Sequence, residues 1–415
     1  MSSSGKAGLS DDPQSQETCR SVHPVRGAGR ADEHGFLRCG DNCSPSGGGF
    51  FGHDLEYGGL VGLGRFGGSA MDMADKRTSN MDRLRLGGGT SLVLALSCLA
   101  LVAVAASLVT GPSDMSWRVA LTALIQDNAG PETVVMREIR LPRAVLGALV
   151  GAALGLSGAA MQGLLRNPLA EPGLIGVSAM AALGAVIALQ TGLVAAFALA
   201  LPVFALIGAG SAVALLLLLA GPRGSSLVLI LAGIAISALA AAATSLVLNL
   251  SPNPFAASEI IFWLMGSLAD RSWTHVWLAA PLIVAGGVLL IFTGRGLDAL
   301  TLGEDAAEAL GIRLQRLRLM VVAGTALAVG AATAVTGAIG FVGLVVPHIL
   351  RPLTGGLPSR LLPASALGGA VMVLAADALT QTLLPDRDLK LGVLTAFIGA
   401  PVFLHLIFRT RRAMA

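Results

Sequence analysis

The side chains of this sequence that could do chemistry are few and clustered. Two arginines stand in Arg140-Leu-Pro-Arg143. Gln162 and a run rich in helix breakers, Asn167-Pro168 through Glu171-Pro172, follow. Pro347-His348 and Arg351 form a second group, and Asp377 is isolated in an apolar stretch. An acidic run, Leu302-Gly303-Glu304-Asp305-Ala306-Ala307-Glu308-Ala309-Leu310-Gly311, forms a third. By residue type alone the two arginines of the first group read as interfacial anchors or helix caps at the outer mouth of a span. Proline removes an amide donor and clashes with the preceding turn, so Pro168 and Pro347 predict broken helices. His348 has no HxxxH or HExxH companion, so neither a metal site nor proton transfer is indicated there. Cys39-Gly-Asp-Asn-Cys43, with His34 and His53 nearby, offers metal-ligating types, but the spacing is loose and a second pair is lacking. No catalytic, cofactor or metal site is expected in this chain.

The elements that must carry these residues are membrane helices. Of 415 residues, 54% are hydrophobic and 13% charged, and mean hydropathy is +0.75. Soluble domains carry about 25% charged residues, so a soluble enzyme is excluded. The net charge of +3 is too small to argue for a polyanion partner. Twenty-one of the charged residues fall in residues 1–86, leaving 32 for the rest. Residues 1–86 read as a disordered polar tail without the apolar core of a signal peptide. Met71, Met73 and Met81 are candidate natural starts. Residues 87–415 read as one transmembrane domain.

A bilayer span needs about 20 apolar residues. Ten runs qualify, at 89–110, 143–165, 174–195, 197–220, 226–250, 274–293, 318–337, 340–354, 361–384 and 391–408. The fold class is all-α and polytopic. Counting basic residues in the loops gives eleven on one side against seven on the other, which puts both termini in the cytoplasm. At membrane depth, polar Gln162 and Asp377 are candidate pathway residues. Asn167, Pro168, Pro347 and His348 are candidate helix breaks. Gly151-Ala-Ala-Leu-Gly-Leu-Ser-Gly158 recurs as Gly330-Ala-Ala-Thr-Ala-Val-Thr-Gly337, and at the same offset Pro168 matches Pro347. The copies lie in the second and seventh spans. An odd separation inserts them in opposite directions, the pattern of an inverted repeat.

Four motifs in order carry a family resemblance: Arg140-Leu-Pro-Arg143 with Gln162 to Ser178; Leu302 to Gly311; Gly340-Phe-Val-Gly-Leu-Val-Val-Pro-His-Ile-Leu-Arg351; and Gly399-Ala-Pro-Val-Phe403. Together they resemble the FecCD/BtuC-like permeases of ABC importers for ferric siderophores, haem and vitamin B12, over about residues 88–412. The resemblance implies a type II ABC importer permease fold in a bacterial plasma membrane. It also implies a second permease subunit, homo- or heterodimeric, two ATP-binding subunits and an extracytoplasmic binding protein. Residues 296–318 become the coupling loop to the ATPase, with Leu302, Gly303, Glu304, Asp305, Ala307, Leu310 and Gly311 as its contacts. Arg140 and Arg143 become docking residues for the binding protein. Where the family usually has a further arginine, this chain has Gln381. Where it has Glu-x-Pro-Val-Gly, this chain reads Asp388-Leu-Lys390-Leu-Gly392. Arg387 or Lys390 then supplies the missing charge.

The chain has three lysines, Lys6, Lys76 and Lys390, and none fits G-x-x-x-x-G-K-[ST]. ATP and Mg belong to a partner ATPase, and this subunit is not itself an enzyme. A ferric siderophore is the expected cargo, with haem or cobalamin as the alternative. A secondary transporter would need ion-coupling carboxylates at the midplane, and little beyond Asp377 is offered.

Overall fold

The computed structural model describes residues 90–111, 115–125, 130–197, 199–221, 226–251, 254–383 and 389–414. The expectations for residues 1–86 and for Arg387 lie outside the described residues. Among the described residues every regular element is helical. In lipid each backbone polar group must be satisfied within its own segment, and Ala- and Leu-rich runs do so as helices.

Fourteen helices of six residues or more organise the described residues. They are α1 (Thr90–Val109), α2 (Trp117–Ile125), α3 (Pro131–Leu164), α4 (Val177–Gln190), α5 (Ala200–Ala220), α6 (Ser226–Asn249) and α7 (Pro254–Leu264). They continue as α8 (Trp273–Phe292), α9 (Gly294–Leu300), α10 (Glu304–Ala309), α11 (Leu314–Thr336), α12 (Val342–Leu350), α13 (Pro358–Leu383) and α14 (Leu391–Met414). Seven of these are long and apolar enough to cross a bilayer, and two shorter apolar helices accompany them. Each of the ten expected spans coincides with a helix, and two bounds differ in an informative way. The second span begins at Pro131 rather than 143, so Arg140 and Arg143 lie inside a 34-residue helix and not at its mouth. Pro142 is tolerated there because Val135–Arg140 forms a π-helical turn just before it, which relaxes the hydrogen-bond ladder where the amide is missing. The eighth is a half-helix. Nine residues rise about 14 Å, under half of a bilayer core of about 30 Å.

The packing follows the repeat. Helix α3 lies along α13 and α12, α11 lies against α5 and α4, and α3 and α11 also touch each other. Exchanging α3, α4 and α5 for α11, α12 and α13 maps one set of contacts on the other, as an inverted repeat requires. Glycine sets the closeness of the α3 seam. A Cβ on Gly151 would overlap the Gly369 carbonyl oxygen, one on Gly155 that of Ser365, and one on Gly158 that of Gly343. Small residues of this kind let backbones approach where lipid offers no hydrophobic drive between helices.

Candidate functional site

Three groups of polar contacts join the helices, one at each end of the bundle and one between the two helix breaks.

At the end of α3 carrying Arg166, Glu304 opens α10. Its carboxylate accepts a hydrogen bond from Arg318 Nη2 of α11 at 2.9 Å and lies 3.8 Å from Arg166 Nη2. Gly303 and Gly311 bracket the helix with φ of +113° and +84°, conformations that favour glycine. Extended as one helix over this segment, the sequence would put Leu302, Ala306, Ala309 and Leu310 on a single apolar face, and the structure does not form that face. Helix α10 has only six residues, so Leu302 and Leu310 sit in the flanking turns, 70% and 63% exposed. Ala307 is the residue that turns inward. Asp305 stays exposed. The structure thus offers two exposed leucines around a helix held by one carboxylate. At the same end Asp298 Oδ1 accepts the Ser359 amide at 2.8 Å, satisfying a donor in the first turn of α13.

Gln162 is buried between α3 and α12. Its Nε2 donates to the Leu344 carbonyl at 3.3 Å, and its Oε1 accepts from Arg351 Nη2 at 2.8 Å. Pro347 and His348 do not form the expected break: α12 runs through both, with Pro347 buried and His348 half-buried, and the irregular stretch lies before the helix at 337–341. Asn167 Oδ1 accepts the Leu169 amide at 2.9 Å, a local turn that starts the break with Pro168.

At the other end Arg140 is 6% exposed, and its Nη1 donates to the carbonyls of Leu108 and Val109, both at 2.9 Å. It thereby satisfies open carbonyls at the end of α1. Arg143 grips Asp377 of α13 at two points, Nε to Oδ2 at 2.9 Å and Nη2 to Oδ1 at 2.8 Å. Gln381 Nε2 donates to Asp377 Oδ2 at 2.9 Å. Asp377 is 1% exposed, so the structure places it between helices and not on an open path. Both arginines expected to face a partner are engaged within the chain, so docking through them would compete with these bonds. Trp273 Nε1 donates to the Arg137 carbonyl at 2.9 Å, and Lys390 lies 5.7 Å above the Phe262 ring. In the connection before α8, burial pulls the Arg271 guanidinium below its ordinary value, with Asp270 opposing the shift.

The third group joins the breaks. Glu171 Oε1 accepts the backbone amide of Phe341 at 2.9 Å. Phe341 caps α12 with φ +67°. The sequence marked Glu171 only as part of a helix-breaking run and gave no contact role to Phe341 or Arg318. The available signal for Glu171 was a carboxylate placed directly before Pro172 within the first motif. Among the described residues no group of three or more His, Cys, Asp and Glu could hold a metal ion.

Comparison with known proteins agrees with this architecture. The model of the FecCD transport family matches residues 99–409. An uncharacterised ABC transporter permease, YvrB of Bacillus subtilis, is 43% identical over 285 residues, covering 68% of this chain and 80% of its own. The hemin transport system permease HmuU of Yersinia pestis is 41% identical over 66% of this chain and 83% of its own. The Fe(3+) dicitrate permease FecD of Escherichia coli is 39% identical over 77% and 98%. A solved structure, described as an inward-facing conformation of a putative metal-chelate type ABC transporter, superposes with TM-score 0.67 at 32% identity, covering 77% of this chain and 99% of that one. A match this long, on a bundle of apolar helices, identifies the chain as a member of the FecCD transport family, a multi-pass membrane permease of an ABC importer.

Proposed function

We propose that this permease imports a ferric siderophore, handed to it by an extracytoplasmic binding protein and moved by ATP-driven alternating access. The observation that carries the cargo is the likeness to the Fe(3+) dicitrate permease, which spans nearly that protein's whole length. In this reading a second permease subunit, identical or related, completes the path, and two ATPase subunits dock at the Arg166 end, which faces the cytoplasm. Leu302 and Leu310 enter the ATPase surface, with Gly303, Asp305, Ala307 and Gly311 shaping the approach. Glu304 passes its motion to Arg318 of α11 and to Arg166 beyond α3. Arg140 and Arg143 lie toward the binding-protein side, and Arg387 is a docking candidate by sequence alone.

Haem is the second cargo reading, supported by the Yersinia relative. Ion-coupled secondary transport is disfavoured by the pairing of Asp377 with Arg143, since a carboxylate held by a guanidinium is poorly placed to pick up and release a coupling ion. Uptake of radiolabelled ferric siderophores, haemin and cobalamin in a deletion strain tests the cargo. Loss of siderophore uptake alone is the expected result. Loss of haemin or cobalamin uptake instead reassigns the cargo, and uptake stopped by a protonophore but indifferent to ATPase removal overturns the ABC mechanism.

A further inference from the structure

The contact between Glu171 and Phe341 joins three stretches that are far apart in sequence. Glu171 belongs to the break after α3. Phe341 belongs to the break between α11 and α12. The third is Gly399 in α14, where an added Cβ would overlap the Phe341 Cβ. Gly343 packs against Pro172, the neighbour of Glu171, and Gly340 lies open beside the Glu171 carboxylate. Three separate motifs therefore converge on one residue.

That residue is in a conformation it does not favour. Phe341 has φ +67°, a region L-residues with bulky side chains seldom enter. Such a backbone persists only where its surroundings over-determine it. Two devices do so here. The Gly399 surface leaves room for the Phe341 side chain, and the Glu171 carboxylate holds the amide. A carboxylate at that amide also faces the N-terminus of α12, whose first amides lack intrahelical partners. Glu171 and Phe341 are both only half-buried, so the contact sits at an accessible junction and not in the sealed core. It joins the break that follows α3 to the break that follows α11, the corresponding junctions of the two repeat halves, which must shift against each other if the permease alternates.

We infer that Glu171 is a positioning residue that holds the α11–α12 break in its left-handed state, and that release of the Phe341 amide is the step by which the two breaks separate during transport. The inference rests on the transport reading for its second half only. Without the carboxylate, relaxation of Phe341 to a common backbone conformation would swing α12 relative to α4.

The test uses the full chain with its ATPase partner in proteoliposomes. The four native cysteines are replaced by alanine, and spin labels are placed at the exposed positions Ile187 of α4 and Ile349 of α12. Nucleotide-free Glu171→Gln is expected to add a second distance population, a shift on the order of tenfold in the two-state ratio, as suits exchange of a charged acceptor for a neutral one at the same amide. Phe341→Gly removes the strain, so the double variant E171Q/F341G is expected to match F341G alone. A wild-type distance distribution in nucleotide-free E171Q overturns the clamp. So does an E171Q effect that persists at full size over F341G, since packing damage would not depend on the backbone at 341. Vanadate trapping is the separate arm. A wild-type distribution that vanadate leaves unmoved counts against the transport reading, while the nucleotide-free comparison still decides the clamp.

Discussion

Arg143 and Asp377 lie 234 residues apart and meet in a two-point ion pair that fastens α3 to α13. Asp377 is 1% exposed, and Gln381 occupies one of its remaining acceptor sites. Removing one partner of a buried pair leaves the other charge uncompensated, which typically costs about 3–5 kcal/mol. The Arg143 side chain is 20% exposed, which places the effect toward the low end. Arg143→Ala and Asp377→Ala should each lower the unfolding temperature in detergent. The double variant should lose less than the sum of the two, as a double-mutant cycle on thermal melts will read.

Arg140 makes a different kind of contact, and its loss should have a different signature. Its removal leaves the Leu108 and Val109 carbonyls without those bonds, at roughly 1–3 kcal/mol. Arg140→Ala should make the end of α1 sensitive to protease. If binding-protein affinity fell tenfold with protease sensitivity unchanged, docking and not helix-end satisfaction would be its main role.

The exposed link at Glu304 should matter little to stability and much to coupling. Glu304 is 36% exposed, so its pair with Arg318 is worth less than about 1 kcal/mol. Glu304→Ala is therefore expected to leave the melting temperature within a few degrees while reducing binding-protein-stimulated ATPase activity several-fold. Equal stimulation in the variant would remove Glu304 from the coupling route.

Two glycines offer a matched comparison. Gly158 faces the Gly343 carbonyl at overlap distance, whereas a Cβ on Gly287 would meet Leu156 at 3.5 Å, an ordinary contact. Gly158→Ala should prevent accumulation of folded protein. Gly287→Ala should be neutral or stabilise by up to about 1 kcal/mol through helix propensity. Fluorescence-detected size exclusion of both variants measures the difference.

Apolar run length placed a helix at each of the ten runs, and seven of those helices are long enough to cross, because the bilayer imposes a minimum length on a crossing. It misjudged where the second begins. Arg137, Glu138 and Arg140 read as loop by charge, yet their backbone continues the helix and Arg140 finds carbonyl partners. The coupling segment was legible as a motif, but its face was not. Helical periodicity extended over residues 302–310 assumes one helix, and Gly303 had already interrupted it. Asp377 and Gln162 were visible as polar residues in apolar runs. Their partners Arg143 and Arg351 were also visible, but pairing across 234 and 189 residues is set by tertiary packing and leaves no local trace.

The glycine seam along α3 has a further consequence. Its closest approaches are made to backbone carbonyl oxygens, and at two of the three the facing residue is itself a glycine. A Cβ on Gly369 would overlap the Gly151 carbonyl oxygen, and one on Gly343 would crowd the Leu154 carbonyl oxygen and the Pro172 ring. Recognition between these helices is therefore written on both partners at those points, and the grip fails with one methyl group added to either. Sequence drift in this bundle should accordingly be blocked in pairs, at Gly151 with Gly369 and at Gly158 with Gly343.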